Sequence, residues 1–181
     1  ALIHYWRWLA DEDFTVIDIA TRRQGLMVAA GNPKKIYEVA DLARADVRFI
    51  NRQASSGTRF LLEGLLKAQG IEHSRIAGFE QGEFTHAAVA AYVASGMADV
   101  GFGVETPARH FKLDFVPLAN ERYFLLCRTA LMPTPAIETV VAALRAQALV
   151  EALNALPGYD PAIAGTVTPL REAFPTLAGL G

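Results

Sequence analysis

The chain has 181 residues, which fits one globular domain or two small lobes and excludes a tandem array of domains. Hydrophobic residues make up 52% of it and charged residues 20%, which excludes a largely disordered chain. Lys and Arg number 17 against 19 Asp and Glu, so the formal net charge of -2 predicts no contact with nucleic acid by this chain. No apolar run approaches the roughly 18–20 residues that span a bilayer, so we expect no membrane contact.

The first half of the chain predicts alternating strands and helices. Aromatic residues within 1–12 are typical of a short helix, and the Val- and Ile-rich or apolar segments 14–20 and 25–30 predict buried strands. Helical spacing of apolar residues follows over 36–45, and a β-branched strand over 47–50. A polar loop then leads directly into the next predicted helix.

The second half continues this alternation. Helices are predicted over 60–69, 85–95, 104–111 and 136–156, the last broken near Gln147, and strands over 76–79, 98–103, 113–118 and 123–128. The helix over 85–95 is apolar nearly all round, so we expect it to be mostly buried. The Pro-rich segment from residue 157 onward predicts an irregular periphery. Such alternation is typical of an α/β domain with a largely parallel sheet.

The cysteine and the first residue of the sequence bear on the compartment of the protein and on the extent of the chain. The one cysteine, Cys127, cannot form an internal disulfide, and its apolar neighbours predict a buried strand position. A single thiol is consistent with a reducing compartment. The chain begins with Ala1 rather than Met, so we expect it to be a fragment of a longer polypeptide.

The loop between the strand at 47–50 and the helix at 60–69 is the first candidate binding site. A helix start presents unpaired backbone N–H groups and the positive end of the helix dipole, which together attract anions. The candidate ligand-binding residues combine a glycine, hydroxyl donors and two cations: Arg52, Ser55, Ser56, Gly57, Thr58 and Arg59. The alternative, that Ser56 only caps the helix and the arginines are solvated, stays open. The loop lacks the Lys and the spacing of a P-loop, so nucleoside triphosphate is not indicated.

The start of the helix at 85–95 is a second candidate anion site, formed by Thr85 and His86, although capping alone would explain Thr85. His86 follows Glu80 and Glu83 at intervals of three residues, which raises the question of a metal. The two carboxylates precede the helix and no second His follows at ligand spacing, so we expect no metal site.

No set of residues in the sequence indicates catalysis. The turn at 101–103 with Glu105 stands at a strand end, where open α/β sheets bind ligands, but a third glycine of a dinucleotide motif is missing. No serine stands in a nucleophile elbow, and Cys127 has no nearby His in the sequence. We therefore expect a binding protein without a cofactor rather than an enzyme.

Three separated strings occur in order and carry a family resemblance: NRQASSGTRFLLEGLL, IAGFEQGEFTHAAVAAYVASGMADVGFGVETPA and LDFVPLANERYFLL. They resemble the type II periplasmic-binding-protein-like domain of cytoplasmic bacterial and archaeal proteins. That domain is often fused to a helix-turn-helix regulator or to molybdopterin biosynthesis proteins. The resemblance covers about residues 22 to 165.

The resemblance implies two α/β lobes with mixed, mostly parallel sheets, the first lobe being incomplete in this chain. Residues 1–30 and 122–181 would form partial lobe one, and 31–121 lobe two with the anion-binding loop. It also implies a cytoplasmic protein that holds an oxyanion such as molybdate or tungstate at the two helix starts. Ser55 stands where the family pattern, NRQxGSGTR, has glycine, so it offers an additional hydroxyl.

Three functions are consistent with this resemblance. The first is a tetrahedral-oxyanion sensor that serves as the effector part of a larger regulator. The second is an accessory domain or enzyme of molybdenum-cofactor biosynthesis, and the third an organic-acid effector domain as in LysR-like regulators. The expected partners are the small oxyanion and an attached helix-turn-helix or molybdopterin-biosynthesis domain. An exposed apolar face of lobe one would also favour a homodimer.

Overall fold

A computed structural model of the chain describes Leu9 and residues 13–175, which form a mixed α/β fold. The chain divides into two compact units, one comprising Ala1–Arg22 with Glu121–Gly181 and the other Arg23–Asn120. The helix predicted in the first dozen residues lies outside the described residues, apart from Leu9.

Two strands of 15 residues, β1 (Phe14–Val28) and β5 (Asp114–Arg128), each contribute residues to both units. The sequence predicted a break inside each of them, and both breaks are wrong. The polar residues at mid-strand resemble a loop, but they pair across the strands: Arg22 Nε lies 2.5 Å from Glu121 Oε2. Cys127 lies in β5 and is buried, as predicted.

In the unit of residues 23–120 the strands lie in the order β3-β2-β4-β1-β5. The further elements of this unit are β2 (Phe49–Arg52), α1 (Gly57–Ala68), β3 (Gly82–Glu83), α2 (His86–Ala94), β4 (Val100–Val104) and α3 (Glu105–His110). Strand β2 is parallel to both β3 and β4, whereas β1 runs antiparallel to β4. The prediction of a mixed sheet is therefore confirmed.

Helices α1 and α2 pack on opposite faces of this sheet. Leu62 and Leu66 of α1 share a core with Leu26 and Phe102 of the sheet. On the other side, Val89 of α2 packs with Met27 and Ile50. The two faces follow from the topology, because the chain leaves β2 toward β3 through α1 and returns to the other side of β2 through α2. The carboxyl ends of β2 and β4 thus flank a topological switch point, where ligands bind in open α/β sheets.

Three local predictions in this unit are wrong. The helix predicted over 36–45 is only a 3-10 turn, Val39–Ala43. The side chain of Asp41 accepts hydrogen bonds from the backbone N–H groups of Tyr37 and Glu38, and such bonds compete with a regular helix. The strand predicted over 76–79 is replaced by turns after the 3-10 segment His73–Arg75. Helix α2 has only three buried residues, Val89, Ala90 and Val93, whereas we expected the helix to be mostly buried.

An ion-pair cluster fixes the opposite, amino-terminal ends of β2 and β4. The carboxylate of Asp99 accepts a hydrogen bond from the backbone N–H of Arg48 at 2.8 Å and forms ion pairs with the side chains of Arg48 and Lys34, both at 3.2 Å. Burial acts to raise the pKa of Asp99, but these hydrogen bonds and the charge of Lys34 outweigh it and lower the pKa to about 2.

In the other unit, β6 (Tyr159–Asp160) and β7 (Val167–Pro169) pair antiparallel with the first half of β1. Helices α4 (Pro135–Arg145), α5 (Gln147–Asn154) and α6 (Leu170–Ala173) complete this unit, together with the 3-10 turn Thr129–Leu131. The predicted break near Gln147 is confirmed. The segment from residue 157 on is more regular than predicted, because β6 and β7 find partners on β1.

Candidate functional site

The first turn of α1 lies directly after the carboxyl end of β2, at the switch point. Ser56 is the N-cap: its Oγ accepts a hydrogen bond from the N–H of Arg59 at 3.1 Å, and its carbonyl oxygen one from the N–H of Phe60 at 3.1 Å. Helix geometry leaves the N–H groups of Gly57 and Thr58 without an intrahelical partner. Gly57 is exposed and Thr58 is buried, so the first turn of α1 passes from the surface into the fold at these two residues.

Arg59 is engaged by the protein rather than by solvent. Its side chain is 10% exposed, with Nε 3.0 Å from Glu63 and one terminal nitrogen 3.4 Å from Glu80. The guanidinium also lies over the ring of Phe79, 4.7 Å from its centre. Arg59 therefore stabilises the first turn of α1 through these contacts, and the two carboxylates offset its charge.

Arg52 links the two loops at this edge of the sheet. Its side-chain nitrogens donate to the carbonyl oxygens of Glu83, at 3.2 Å, and Phe84, at 2.9 Å. Those residues lead into α2, so Arg52 ties the loop after β2 to the loop after β3. The alternative of solvated arginines therefore does not describe this structure, whereas the capping role of Ser56 is present. Ser55 is exposed beside the cap.

The second predicted helix start lies at the same edge on the other face. Thr85 is exposed and caps α2 by accepting a hydrogen bond from the N–H of Ala88 at 3.0 Å. His86 packs against the sheet, since a Cβ added to Gly103 would lie 2.6 Å from His86 Nδ1. Within the described ranges, no group of three or more His, Cys, Asp or Glu side chains converges as metal ligands would. The ligand roles of all these residues stay predictions.

Two glutamines at this edge were missed by the sequence analysis. Gln24 of β1 is 0% exposed, and neither its Nε2 nor its Oε1 has a hydrogen-bond partner among the described residues. Gln53, directly after β2, has a buried Oε1 that likewise lacks a partner in the described part of the chain. The only signal in the sequence is a polar residue directly before the apolar run 25–30, and the structure extends the strand predicted there to include Gln24.

A buried carboxylate also lies at this edge of the sheet, directly after β4. Glu105, the first residue of α3, is 4% exposed and lies 2.7 Å from Arg23 and 3.0 Å from Arg109. One negative and two positive groups therefore stand at the end of β4, so this corner carries a net positive charge. The position of Glu105 after a strand agrees with the sequence, and its two arginine partners explain how the fold tolerates a buried acid there.

The family of the chain follows from its sequence as a whole. The model of the PBP superfamily domain, the periplasmic-binding-protein-like domain, matches residues 2–145. The chain belongs to this superfamily. Over 117 residues it is 41% identical to the uncharacterised protein YvgK of Bacillus subtilis, a match that spans 65% of this chain and 38% of that protein. The matched region therefore covers less than half the length of YvgK.

Solved structures agree with this membership in fold. The regulatory domain of MetR, a LysR family regulator from N. meningitidis, matches with a TM-score of 0.62 and 12% identity, over 82% of this chain and 69% of that domain. The effector binding domain of QuiR, solved in complex with shikimate, matches with a TM-score of 0.56 and 16% identity, over 70% of this chain and 61% of that chain. The predicted type II fold is thus confirmed, and the chain is a PBP-like ligand-binding domain. None of the described helices is long and apolar enough to cross a membrane.

Proposed function

We propose that the chain is a sensing module that binds a small oxyanion at the first turn of α1, as the effector part of a larger regulator. The observation that carries this proposal is the pair of N–H groups of Gly57 and Thr58, which have no intrahelical partner and stand at the switch point of the sheet. The helix dipole favours negative charge there, and the exposed hydroxyl group of Ser55 adds a donor beside the cap. In this proposal Thr85 and His86 line the same edge from the α2 side.

The resemblance in sequence makes molybdate and tungstate candidate ligands. The likeness in fold to the effector binding domain of QuiR, solved in complex with shikimate, supports the alternative of an organic-acid effector domain. Both candidates use an anion at the same helix start, so they differ in the ligand and not in the place. A role in molybdenum-cofactor assembly would use this site as well, with a different attached domain. The attached domain, a homodimer and the cytoplasmic location stay predictions.

A charge-introducing variant tests the location of the site. Gly57→Asp places a carboxylate at the first residue of α1, where an added Cβ meets no atom within 4 Å. An acid in the first turn suits the helix dipole, so folding is retained while an anion is repelled. Gly64→Asp is the matched control, since it adds the same charge to the same helix at an exposed position with equally free space.

The measurement is calorimetric titration of both variants and the unmodified chain with molybdate, tungstate, sulfate, phosphate and a set of small carboxylates, up to millimolar concentration. We expect at least one of these anions to bind the unmodified chain and Gly64→Asp alike, and to bind Gly57→Asp at least about tenfold more weakly. Absence of binding by every anion, or equal binding by Gly57→Asp, would overturn the proposal.

A further inference from the structure

The buried amide of Gln24 points to the chemistry of the ligand. Its side chain is 0% exposed and both polar atoms lack a partner among the described residues. A carboxamide removed from water without hydrogen bonds is destabilising, so such a group is unusual in a folded protein. A ligand that bonds to both atoms would offset that cost on binding.

The strand register places Gln24 at the edge of the sheet where α1 begins and on the face that α1 covers. Gln24 pairs with Val104, the last residue of β4, at the carboxyl end of the sheet. Side chains alternate along β1, so Gln24 shares the face of Leu26, which packs against α1. Helix α1 begins at that same end of the sheet, because it follows the carboxyl end of β2.

Gln53 adds a second acceptor at the same place. In the parallel register of β2 and β4, Phe49 pairs with Val100 and Ile50 with Gly101, so Gln53 falls level with Val104. Its side chain is therefore on the α1 face, as that of Gln24 is, and its buried Oε1 has no hydrogen-bond donor within the described residues. This edge of the sheet thus combines the N–H donors of α1 with amide oxygens that need a hydrogen-bond donor from the ligand.

That combination selects among anions. Fully deprotonated oxyanions such as sulfate, molybdate and tungstate offer only acceptor oxygens, so they would satisfy the N–H groups and leave the amide oxygens unpaired. Interchanging the oxygen and nitrogen of the Gln24 amide leaves the same requirement for one donor and one acceptor. We propose that the ligand of the α1 site is a small anion that also bears a hydroxyl group, and that Gln24 is the residue that selects for it. This inference rests on the proposed function and narrows it.

The test compares anions of matched size that differ in a hydroxyl group. Inorganic phosphate and sulfate are one pair, and glycolate and acetate are the other, each titrated calorimetrically at pH 7. We expect the hydroxyl-bearing member of at least one pair to bind at least about tenfold more tightly than its partner. In Gln24→Met, which removes both polar atoms and keeps the length of the side chain, the preference should fall to within about threefold.

The outcomes separate this inference from the proposed function. If sulfate, molybdate or tungstate binds the unmodified chain as tightly as phosphate and glycolate do, the hydroxyl requirement is wrong while an anion site stands. If the preference exists but survives in Gln24→Met, the assignment to Gln24 is wrong. If none of the anions binds, the proposed function itself fails. A preference for phosphate over sulfate identifies a protonated oxyanion, and one for glycolate over acetate a hydroxy acid; either result supports the inference.

Discussion

Replacing Gln24 by methionine should stabilise the protein in the absence of ligand. Both amide atoms are buried without partners among the described residues, and an unpaired buried amide costs about 1–3 kcal/mol. Methionine has a similar length and a flexible chain, so repacking should cost less than about 1.5 kcal/mol. A net gain of about 1–2 kcal/mol shifts the melting temperature of a domain of this size upward by about 2–8 °C. A residue that serves only to hold the fold would have the opposite effect.

The assay is differential scanning calorimetry of the ligand-free protein, supported by urea unfolding to confirm that the m-value is unchanged. Gln147→Met is the matched control, because Gln147 is exposed and its amide already donates to Glu151 at 2.9 Å. We expect that control to change stability by less than about 0.5 kcal/mol. A loss of more than about 1 kcal/mol in Gln24→Met would refute the reasoning, since it would mean that the amide makes stabilising bonds in the native protein.

Three further predictions concern stability. Gly25→Ala should lower the free energy of unfolding in urea by about 2–3 kcal/mol, because the added methyl group would collide with the backbone carbonyl of Val116. Gly64→Ala, in the middle of α1 with no atom near the added methyl group, should raise it by about 0.5–1 kcal/mol. Equal effects of the two changes would contradict this. Ser56→Ala removes the N-cap of α1 and should cost about 1 kcal/mol by the same assay; no loss would exclude the cap. The fold lowers the pKa of Asp99 from 3.8 to about 2, so the ionised carboxylate stabilises the protein fully above about pH 3.8. This stabilisation is lost as the pH falls through about 2. The cost of Asp99→Asn should therefore be about 1–2 kcal/mol at pH 6 and shrink toward zero by pH 2, and a pH-independent cost would refute it.

The order of elements was largely predictable because it rests on local patterns. The helix that became α1 and the cap at Ser56 were both predicted from the sequence, and both are present in the structure. The sequence predicted two shorter strands in place of β1 and two in place of β5, because the polar residues at the centre of each strand resemble a loop. The ion pair between Arg22 and Glu121, which joins residues 99 positions apart, explains those polar residues, and no local pattern reveals it.

The candidate site was predictable only in part, for the same reason. The helix start after β2 can be recognised in the sequence from Ser56, Gly57 and Thr58. The amides of Gln24 and Gln53 reach the same edge only through the pairing of β1 with β4 and of β4 with β2. Whether such an amide has a hydrogen-bond partner depends on residues far away in the sequence, so an unpaired buried amide can be recognised only in the folded chain.

The measurement that tests the anion site most directly is a ¹H–¹⁵N NMR titration of the chain with phosphate and, separately, with glycolate. An anion bound at the first turn of α1 accepts hydrogen bonds from the N–H groups of Gly57 and Thr58, so these two amide signals should shift markedly and saturably in at least one of the two titrations. Gly64, on the same helix, should remain nearly unchanged. Saturable shifts confined to other regions, with Gly57 and Thr58 unmoved, would contradict the account.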